Sequence, residues 1–262
     1  MQNYHNILSC RAIEYLSAWV RTTEDWVCLC GRALNLTHLE IKYIDPDYQI
    51  DRYPVTIASL IYGPSRLTNI RFSFDYNEVR LHSLQWLINH SCSSLKKFSL
   101  TASDSYHVNG ESLETLLRPC QQLTKIELRL KYGNEEVDLM DMLSGYQTDW
   151  WLDPRRPPVF LHDSRGCIYV VTMPCSIATM VDLDINPNTW LFSKEKIGSP
   201  LIYFKNVVKV GILNSKHELI TFDFLYLIAR LIPEFGEKLK FNYWNFRKSK
   251  TLYEQVSLCV FF

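Results

Sequence analysis

Two short clusters bring together residues whose chemistry could build a site. The segment from His162 to Cys167 reads His-Asp-Ser-Arg-Gly-Cys, and it places an imidazole near a thiol, the pair that nucleophilic catalysis uses. Asp-Ser-Arg-Gly is, however, ordinary turn chemistry, so the segment favours a turn between two strands. Cys28 and Cys30 are separated by one residue, which is the wrong spacing for the usual pair of zinc ligands. Neither cluster therefore predicts a catalytic or metal site.

A third cluster, Asp45, Asp47 and Asp51, has the side chains that calcium prefers. It lacks the glycine and the terminal glutamate of an EF-hand loop, and a solvated loop after a strand is the simpler interpretation. We therefore expect no catalytic residue, no cofactor and no metal, and a protein that is not an enzyme.

The composition indicates a folded chain without a dominant charge. Of 262 residues, 47% are hydrophobic, and 28 basic side chains balance 28 acidic ones. Zero net charge argues against a protein whose main role is to bind a phosphate backbone. Only nine glycines are present, which disfavours glycine-rich phosphate loops. Because no apolar run approaches about 18 residues, we expect no transmembrane helix and no membrane partner.

The cysteines and the first residues bear on the cellular compartment. Eight cysteines are too few for a disulfide scaffold in a chain of this length. Residues 1–10 have neither the basic segment nor the apolar stretch of a signal peptide. We therefore expect reduced thiols and a cytoplasmic or nuclear location.

An internal repeat is the most informative feature of the sequence. Three segments share the pattern apolar, two variable, apolar, one variable, apolar; they begin at Leu67, Leu95 and Leu123, which are 28 residues apart, and a fourth begins at Leu36. A period of about 20–29 residues with L-x-x-L-x-L is the leucine-rich-repeat signature. Since alternate residues of a strand share a face, the last two apolar residues of each copy should point inward.

A helical element precedes the strand in each repeat. Leu60, Ile88 and Leu116 are again 28 residues apart and lie in stretches with helical spacing. Cys92 and Cys120 recur three residues before the strand leucine, where Pro64 stands one repeat earlier, and this indicates a packing position. A unit of strand, loop and helix must stack on its neighbours to bury its apolar faces. The predicted fold class is α/β: a leucine-rich-repeat solenoid, or horseshoe, with parallel strands on the concave face and helices on the convex face.

The repeat pattern also predicts the organisation of the chain. The predicted parts are an N-terminal cap or degenerate repeat at residues 1–32, regular repeats at 33–145, a proline-rich and aromatic insertion with a hairpin at 146–176, and degenerate repeats with a C-terminal cap at 177–262. Residues 12–19 have the spacing of a possible helix, and three prolines within 154–158 interrupt the repeat. Weaker copies begin at Met180 and Val207, and residues 223–232 have helical periodicity.

The variable residues of the predicted strands form three columns across the sheet. The columns are His38, Asn69, Lys97 and Lys125; then Glu40, Arg71, Ser99 and Glu127; then Lys42, Ser73, Thr101 and Arg129. In a curved solenoid such columns make a continuous binding surface, which is here polar and mildly basic. The residues expected to bind a partner are His38, Glu40, Lys42, Asn69, Arg71, Lys97, Lys125, Glu127 and Arg129.

Three segments besides the repeats resemble a known family. They are Trp150-Trp151, Cys167-Ile-Tyr-Val-Val-Thr-Met-Pro174 and Phe204-Lys-Asn-Val-Val-Lys-Val210, followed by a further helix. The chain resembles the C-terminal repeat region of F-box/leucine-rich-repeat proteins, particularly the expanded set of bdelloid rotifers. This resemblance implies the substrate-recognition part of a Skp1-cullin-F-box type ubiquitin ligase. The opening Leu-Pro-x-Glu of an F-box is not found near Met1, so a Skp1-type adaptor is expected as a partner only if an F-box lies upstream.

These features favour a protein–protein interaction scaffold whose partner, an unknown protein, is acidic or of mixed charge. One alternative is nucleic-acid binding by the same columns, which is disfavoured because the cations are few and no aromatic stripe alternates with them. A second alternative is a truncated, non-functional repeat fragment. The apolar tail at residues 256–262 is either a last strand or the edge of an incomplete gene model.

Overall fold

The computed structural model describes most of the predicted strands and helices. The described residues are 12–21, 23–43, 63–74, 81–103, 108–133, 138–164, 167–176, 179–184, 190–194, 204–205, 209–214, 222–232, 240–245 and 254–258. The chain divides into two compact units, Met1–Leu130 (unit 1) and Lys131–Phe262 (unit 2). Both contain helices and strands, and most of the paired strands are parallel, which confirms the predicted α/β class. In the part described here, no helix is long and apolar enough to cross a membrane.

Unit 1 is built on parallel strands that follow one another in sequence order. Its elements are β1 (Tyr15–Val20), α1 (Thr23–Arg32), β2 (His38–Tyr43), β3 (Asn69–Phe74), α2 (Leu81–Ser91), β4 (Lys97–Ser103), α3 (Gly110–Leu117) and β5 (Lys125–Gly133), the last of which ends in unit 2. The strand order is β1-β2-β3-β4-β5, and the first three pairs are parallel. The strands predicted near Leu36, Leu67, Leu95 and Leu123 are confirmed, each beginning two residues later.

A repeated hydrogen-bond pattern sets the register where each strand begins. The carbonyl of Thr37 accepts the N–H groups of Thr68 and Asn69, at 2.8 and 3.1 Å. One repeat later, the carbonyl of Thr68 accepts those of Lys96 and Lys97, at 2.8 and 2.9 Å. The carbonyl of Lys96 likewise accepts the N–H groups of Thr124 and Lys125, at 3.0 and 3.1 Å. The same backbone contact therefore recurs at each of these junctions, although the acceptors Thr37, Thr68 and Lys96 are 31 and 28 residues apart in the sequence.

The apolar residues of the repeat form the core of unit 1. The buried strand residues are Leu39, Ile41, Ile70, Phe72, Phe98, Leu100, Ile126 and Leu128, each at most 4% exposed. The four leucines that open the repeats are also buried. Burying a side chain of this size contributes about 1.5–3 kcal/mol. The inward direction predicted for the last two apolar positions is thus observed in all four copies.

The helices of unit 1 bury their apolar stripes against this core. In α3, Leu113, Leu116 and Leu117 are buried. The helix begins with a capping box, in which the side chain of Asn109 accepts the N–H of Ser112 and the Ser112 hydroxyl accepts the N–H of Asn109. These helices contain the predicted Ile88 and Leu116; the helix predicted near Leu60 lies outside the described residues.

The recurring position before each strand leucine is a packing position in two of its three copies. Pro64 and Cys120 are buried, whereas Cys92 is half-buried. Cysteine behaves as a small hydrophobic residue in such a site.

The helix predicted over residues 12–19 is wrong. This segment contains the strand β1, which pairs with β2 in parallel, with Tyr15 opposite His38 and Val20 opposite Tyr43. Leu16 and Ala18 turn towards the core side and are half-buried, while Val20 is buried. Pairing with β2 overrides a weak helical spacing here, because a short isolated helix is only marginally stable in water.

Unit 2 combines short helices with antiparallel and parallel strands. Its elements are α4 (Leu139–Ser144), α5 (Asp149–Leu152), β6 (Val159–Ser164), β7 (Cys167–Thr172), β8 (Cys175–Ser176), β9 (Thr179–Asp184), β10 (Trp190–Phe192), β11 (Phe204–Lys205), β12 (Lys209–Asn214), α6 (Phe222–Leu231), β13 (Lys240–Asn245) and β14 (Glu254–Leu258). The strands β6 and β7 form the predicted hairpin, with Ser164 opposite Cys167. The weaker repeat copies give the strands β9 and β12, which pair in parallel, and β12 also pairs in parallel with β13.

Two further predictions in unit 2 agree with the observed elements. The helix expected at residues 223–232 is α6. The strand β14, which is antiparallel to β13, includes residues 256–258 of the tail, so a last strand, the first of its two interpretations, is observed for these residues. Residues 259–262 lie outside the described part.

Candidate binding surface

The predicted columns lie in register on one face of unit 1. The pairing continues each column onto β1, giving Tyr15, His38, Asn69 and Lys97; then Ser17, Glu40, Arg71 and Ser99; then Trp19, Lys42, Ser73 and Thr101. From β5, Lys125, Glu127 and Arg129 follow the same alternation, with buried residues between them. We call these fifteen residues the column face. All nine residues predicted to bind a partner belong to it.

A carboxylate surrounded by three cations lies towards the β5 side of the column face. The carboxylate of Glu127 lies 2.7 Å from Nζ of Lys125, 3.4 Å from Nζ of Lys97 and 3.7 Å from a guanidinium nitrogen of Arg71. We call these four residues the Glu127 cluster. Arg71 reaches Glu127 across β4, where Ser99 is its direct neighbour and has a short side chain.

The electrostatics of this cluster favour a charged glutamate. Partial burial raises the pKa of Glu127, but the hydrogen bond from Lys125 and the charges of Lys97 and Lys125 outweigh burial and hold the pKa below its usual range. Three cations therefore share one full negative charge, and the cluster keeps an excess of positive charge.

A second carboxylate lies on the β1 side. Glu40 is 3.2 Å from Nζ of Lys42 and accepts long hydrogen bonds, both 3.4 Å, from the hydroxyls of Tyr15 and Ser17. Burial raises its pKa, yet the bond to Lys42 and the charges of Lys42 and Arg71 together lower it. Glu40 is thus ionised, and its charge is stabilised by side chains on β1, β2 and β3.

Two exposed aromatic side chains occupy the β1 end of the face. Tyr15 is 62% exposed and Trp19 is 63% exposed. Nζ of Lys42 lies 5.4 Å from the centre of the Trp19 ring, within the range of a cation–π contact. The ring of Tyr15 lies 6.0 Å from that of His38. Large exposed aromatics beside polar residues are typical of protein interfaces.

A small cavity of 130 Å³ lies between the aromatic end and the Glu127 cluster. Its polar lining comes from Tyr15, His38, Glu40, Asn69, Arg71 and Lys97. The cavity has room for one side chain, and it offers both hydrogen-bond donors and a cationic wall.

The other candidate residues that the structure describes are not arranged as a metal or catalytic site. Cys28 is exposed and Cys30 is buried on α1, and burial raises the pKa of the Cys30 thiol to about 12, which opposes the thiolate that a metal requires. Among the described residues, no group of three or more His, Cys, Asp or Glu side chains could hold a metal ion. The aspartates at 45, 47 and 51 lie outside the described part.

The histidine of the turn cluster belongs to the core of unit 2. His162 is buried and its ring stacks on that of Tyr169 at 4.8 Å, whereas Cys167 pairs with Ser164 on the other strand of the hairpin. Burial lowers the pKa of His162 to about 4. In the Trp150-Trp151 pair of the insertion, Trp151 is fully buried, and half-buried Trp150 has the guanidinium carbon of Arg156 4.3 Å from its ring centre.

Sequence reasoning missed the contribution of β1 to the face. Tyr15, Ser17 and Trp19 lie 23 residues before their partners on β2, so the 28-residue period does not include them. A signal was present: Ile13-Glu-Tyr-Leu16-Ser-Ala18 has the spacing of the repeat, although alanine replaces the last leucine.

The chain matches no known family profile and no curated protein sequence.

Proposed function

We propose that the column face of unit 1 binds another protein and that the chain acts as a leucine-rich-repeat interaction scaffold without catalysis of its own. The observation that carries this proposal is the combination of two exposed aromatics and five cationic side chains on strands whose alternate residues are buried. Because the strands hold these side chains in rows before a partner arrives, less ordering is needed on binding, which lowers its entropic cost.

The repeat supports a stacked horseshoe as the frame of this surface. Repeats of strand and helix that share one hydrogen-bond pattern at each junction extend by addition of identical units. Within such a frame the columns face a common partner, so several weak contacts act together.

The resemblance to F-box/leucine-rich-repeat proteins suggests a more specific role. On that basis the partner is a substrate protein for ubiquitylation, and a cytoplasmic or nuclear location follows. A Skp1-type adaptor belongs to this proposal only if an F-box lies upstream of residue 1.

The charges on the face favour protein over nucleic acid. Glu40 and Glu127 lie among the cations and would repel a phosphate backbone, whereas they suit a partner of mixed charge. Nucleic-acid binding at this face predicts a steep fall of affinity with salt, which separates the two possibilities.

A pulldown with a charge-reversed variant tests the proposal. Arg71→Glu with Arg129→Glu should remove the partner, because arginines are favoured at interface hot spots. Truncation of either arginine should cost on the order of 1–2 kcal/mol of binding if it lies near the centre of the interface. Arg66→Glu with Arg230→Glu, which changes the charge equally at exposed positions off the column face, is the matched control.

One outcome of this pulldown would contradict the proposal. If quantitative proteomics recovers the same partners with the column-face variant as with wild type and the control, the column face is not the binding surface.

A further inference from the structure

The column face has two chemically different ends. At β1, Tyr15 and Trp19 present large exposed rings, while Arg71, Lys97 and Lys125 concentrate positive charge on β3 to β5. A partner that covers both ends must itself be apolar at one end and acidic at the other.

The cationic end has capacity for a second carboxylate. The ion-pair distances from Glu127 to Lys97 and Arg71 are 3.4 and 3.7 Å, longer than the 2.7–2.9 Å or so of a charge-assisted hydrogen bond. Only Lys125 makes a short contact with Glu127, at 2.7 Å. Arg71 and Lys97 also line the 130 Å³ cavity, where the Asn69 amide is available beside them. An incoming carboxylate therefore meets two cations that Glu127 holds at long range.

The spacing of the strands fixes the separation of the two ends. Neighbouring strands lie about 4.8 Å apart, so about 12 Å separates β1 from a point between β3 and β4. An extended peptide advances about 3.3 Å per residue. A peptide crossing the strands therefore brings an apolar and an acidic residue to the two ends when they are about three or four positions apart.

The two glutamates of the face select a carboxylate over a phosphate. A dianionic phosphate seated between Arg71 and Lys97 would lie close to both Glu40 and Glu127, which are ionised. A carboxylate carries half that charge and can share the three cations with Glu127. The mixed lining of the cavity thus fits an aspartate or glutamate side chain.

We propose that the partner presents a short extended segment that crosses the strands of unit 1, with an acidic side chain seated between Arg71 and Lys97 and an apolar side chain against Tyr15 and Trp19. This inference rests on the proposed function, because it specifies the ligand of the same surface.

Selection from a random twelve-residue peptide library on the full chain tests the inference. The expected result is enrichment of peptides that contain an aromatic or large aliphatic residue three or four positions from Asp or Glu. A selected peptide, labelled with a fluorophore, is then titrated against variants by fluorescence anisotropy. Arg71→Gln and Lys97→Gln should each weaken it at least about fivefold, and Trp19→Ser should do so to a similar extent.

Two controls keep these results specific. Lys96→Gln removes an exposed charge next to Lys97 in sequence but outside the columns, and it should leave the affinity unchanged. Replacing the acidic residue of the peptide by Gln should abolish the difference between wild type and Arg71→Gln. Circular dichroism of each variant checks that the chain keeps the secondary structure of the wild type.

Several outcomes would overturn the inference, and some of them leave protein binding intact. If the selected peptides depend on Arg71 and Lys97 but not on Tyr15 or Trp19, the aromatic residues do not bind an apolar side chain of the partner. A preference for phosphopeptides would contradict the choice of a carboxylate, whereas a preference for an RNA oligonucleotide would contradict the proposed protein binding as well. A library that yields no binding peptide would show that the partner does not bind through a short linear segment. If the Arg71→Glu, Arg129→Glu variant also retains its partners in the pulldown, the proposed function fails as well.

Discussion

The indole N–H of Trp26 donates a hydrogen bond of 2.6 Å to the phenol oxygen of Tyr43 in the core of unit 1. Trp26 lies on α1 and Tyr43 ends β2, so this contact joins the N-terminal segment to the first regular repeat. The centre of the Trp26 ring also lies 5.4 Å from that of Phe72, and the stacked rings of Tyr43 and Phe74 have their centres 4.4 Å apart. The N-terminal helix is therefore part of the same core as the repeats.

Tyr43→Phe should lower the free energy of unfolding by about 1–3 kcal/mol, the usual cost of a buried donor that loses its partner. Chemical denaturation measures the change. Tyr15→Phe removes a hydroxyl that makes only a long hydrogen bond on the surface, and it should change stability by less than about 0.5 kcal/mol. Equal effects of the two variants would mean that the Trp26 bond contributes nothing.

Leu100→Ala should destabilise the chain by roughly 2–5 kcal/mol, because a buried leucine leaves a cavity when truncated. Leu100 is fully buried on β4, with β3 and β5 on either side. Thr101→Ala, the next residue along the strand, lies on the column face and should have a much smaller effect. A loss below about 0.5 kcal/mol for Leu100→Ala would show that the strand register is wrong.

His162 should make the stability of unit 2 depend on pH. Burial lowers its pKa from 6.5 to about 4, so the unfolded chain binds a proton more tightly than the folded chain does. Stability is then complete above pH 6.5 and falls as the pH drops towards 4, by on the order of 3 kcal/mol.

His162→Gln isolates this contribution, since glutamine does not titrate. In denaturant titrations, the free energy of unfolding of the variant should fall less between pH 6.5 and pH 4 than that of the wild type, even if the variant is less stable at every pH. Parallel losses in the two proteins would assign the pH dependence to other groups.

Glu127→Gln should increase the affinity of the column face for acidic ligands. The substitution leaves Arg71, Lys97 and Lys125 without their shared carboxylate, so an incoming carboxylate has no competitor. A labelled polyglutamate peptide at low salt should bind several-fold more tightly, with the gain reduced by added salt. Stability should change by less than about 1 kcal/mol, because the ion pairs are partly exposed.

Glu111→Gln on α3 carries the same change of net charge away from the column face, and it should leave polyglutamate binding as in wild type. A similar gain in both variants would indicate a long-range effect of net charge in place of the cluster.

The regular strands and their buried residues could be predicted from the sequence because the signal is repeated. Leu67, Leu95 and Leu123 recur at one period, and a repeated residue pattern imposes a repeated backbone contact. The residues of each column could be predicted because successive side chains of a strand point to opposite faces, and this rule requires no knowledge of distant contacts.

The parts that were missed depend on contacts between residues far apart in sequence. The segment with Tyr15 and Trp19 becomes a strand because β2 offers an edge to pair with, and its 23-residue offset lies outside the period. The meeting of Arg71 with Glu127 across β4 depends on side-chain reach over Ser99, which no spacing encodes. The burial of His162 reflects the stacking partner that the hairpin register supplies.

Along β3, the residues that stabilise the fold alternate with residues that lie on the column face. Ile70, Phe72 and Phe74 are buried, while Arg71 lies between them on the opposite side of the strand. Substitution at an exposed position of this kind usually changes stability by no more than about 0.5 kcal/mol. If the column face binds a partner as proposed, single substitutions in the columns can therefore change which partner is bound while the buried residues beneath them keep the fold intact.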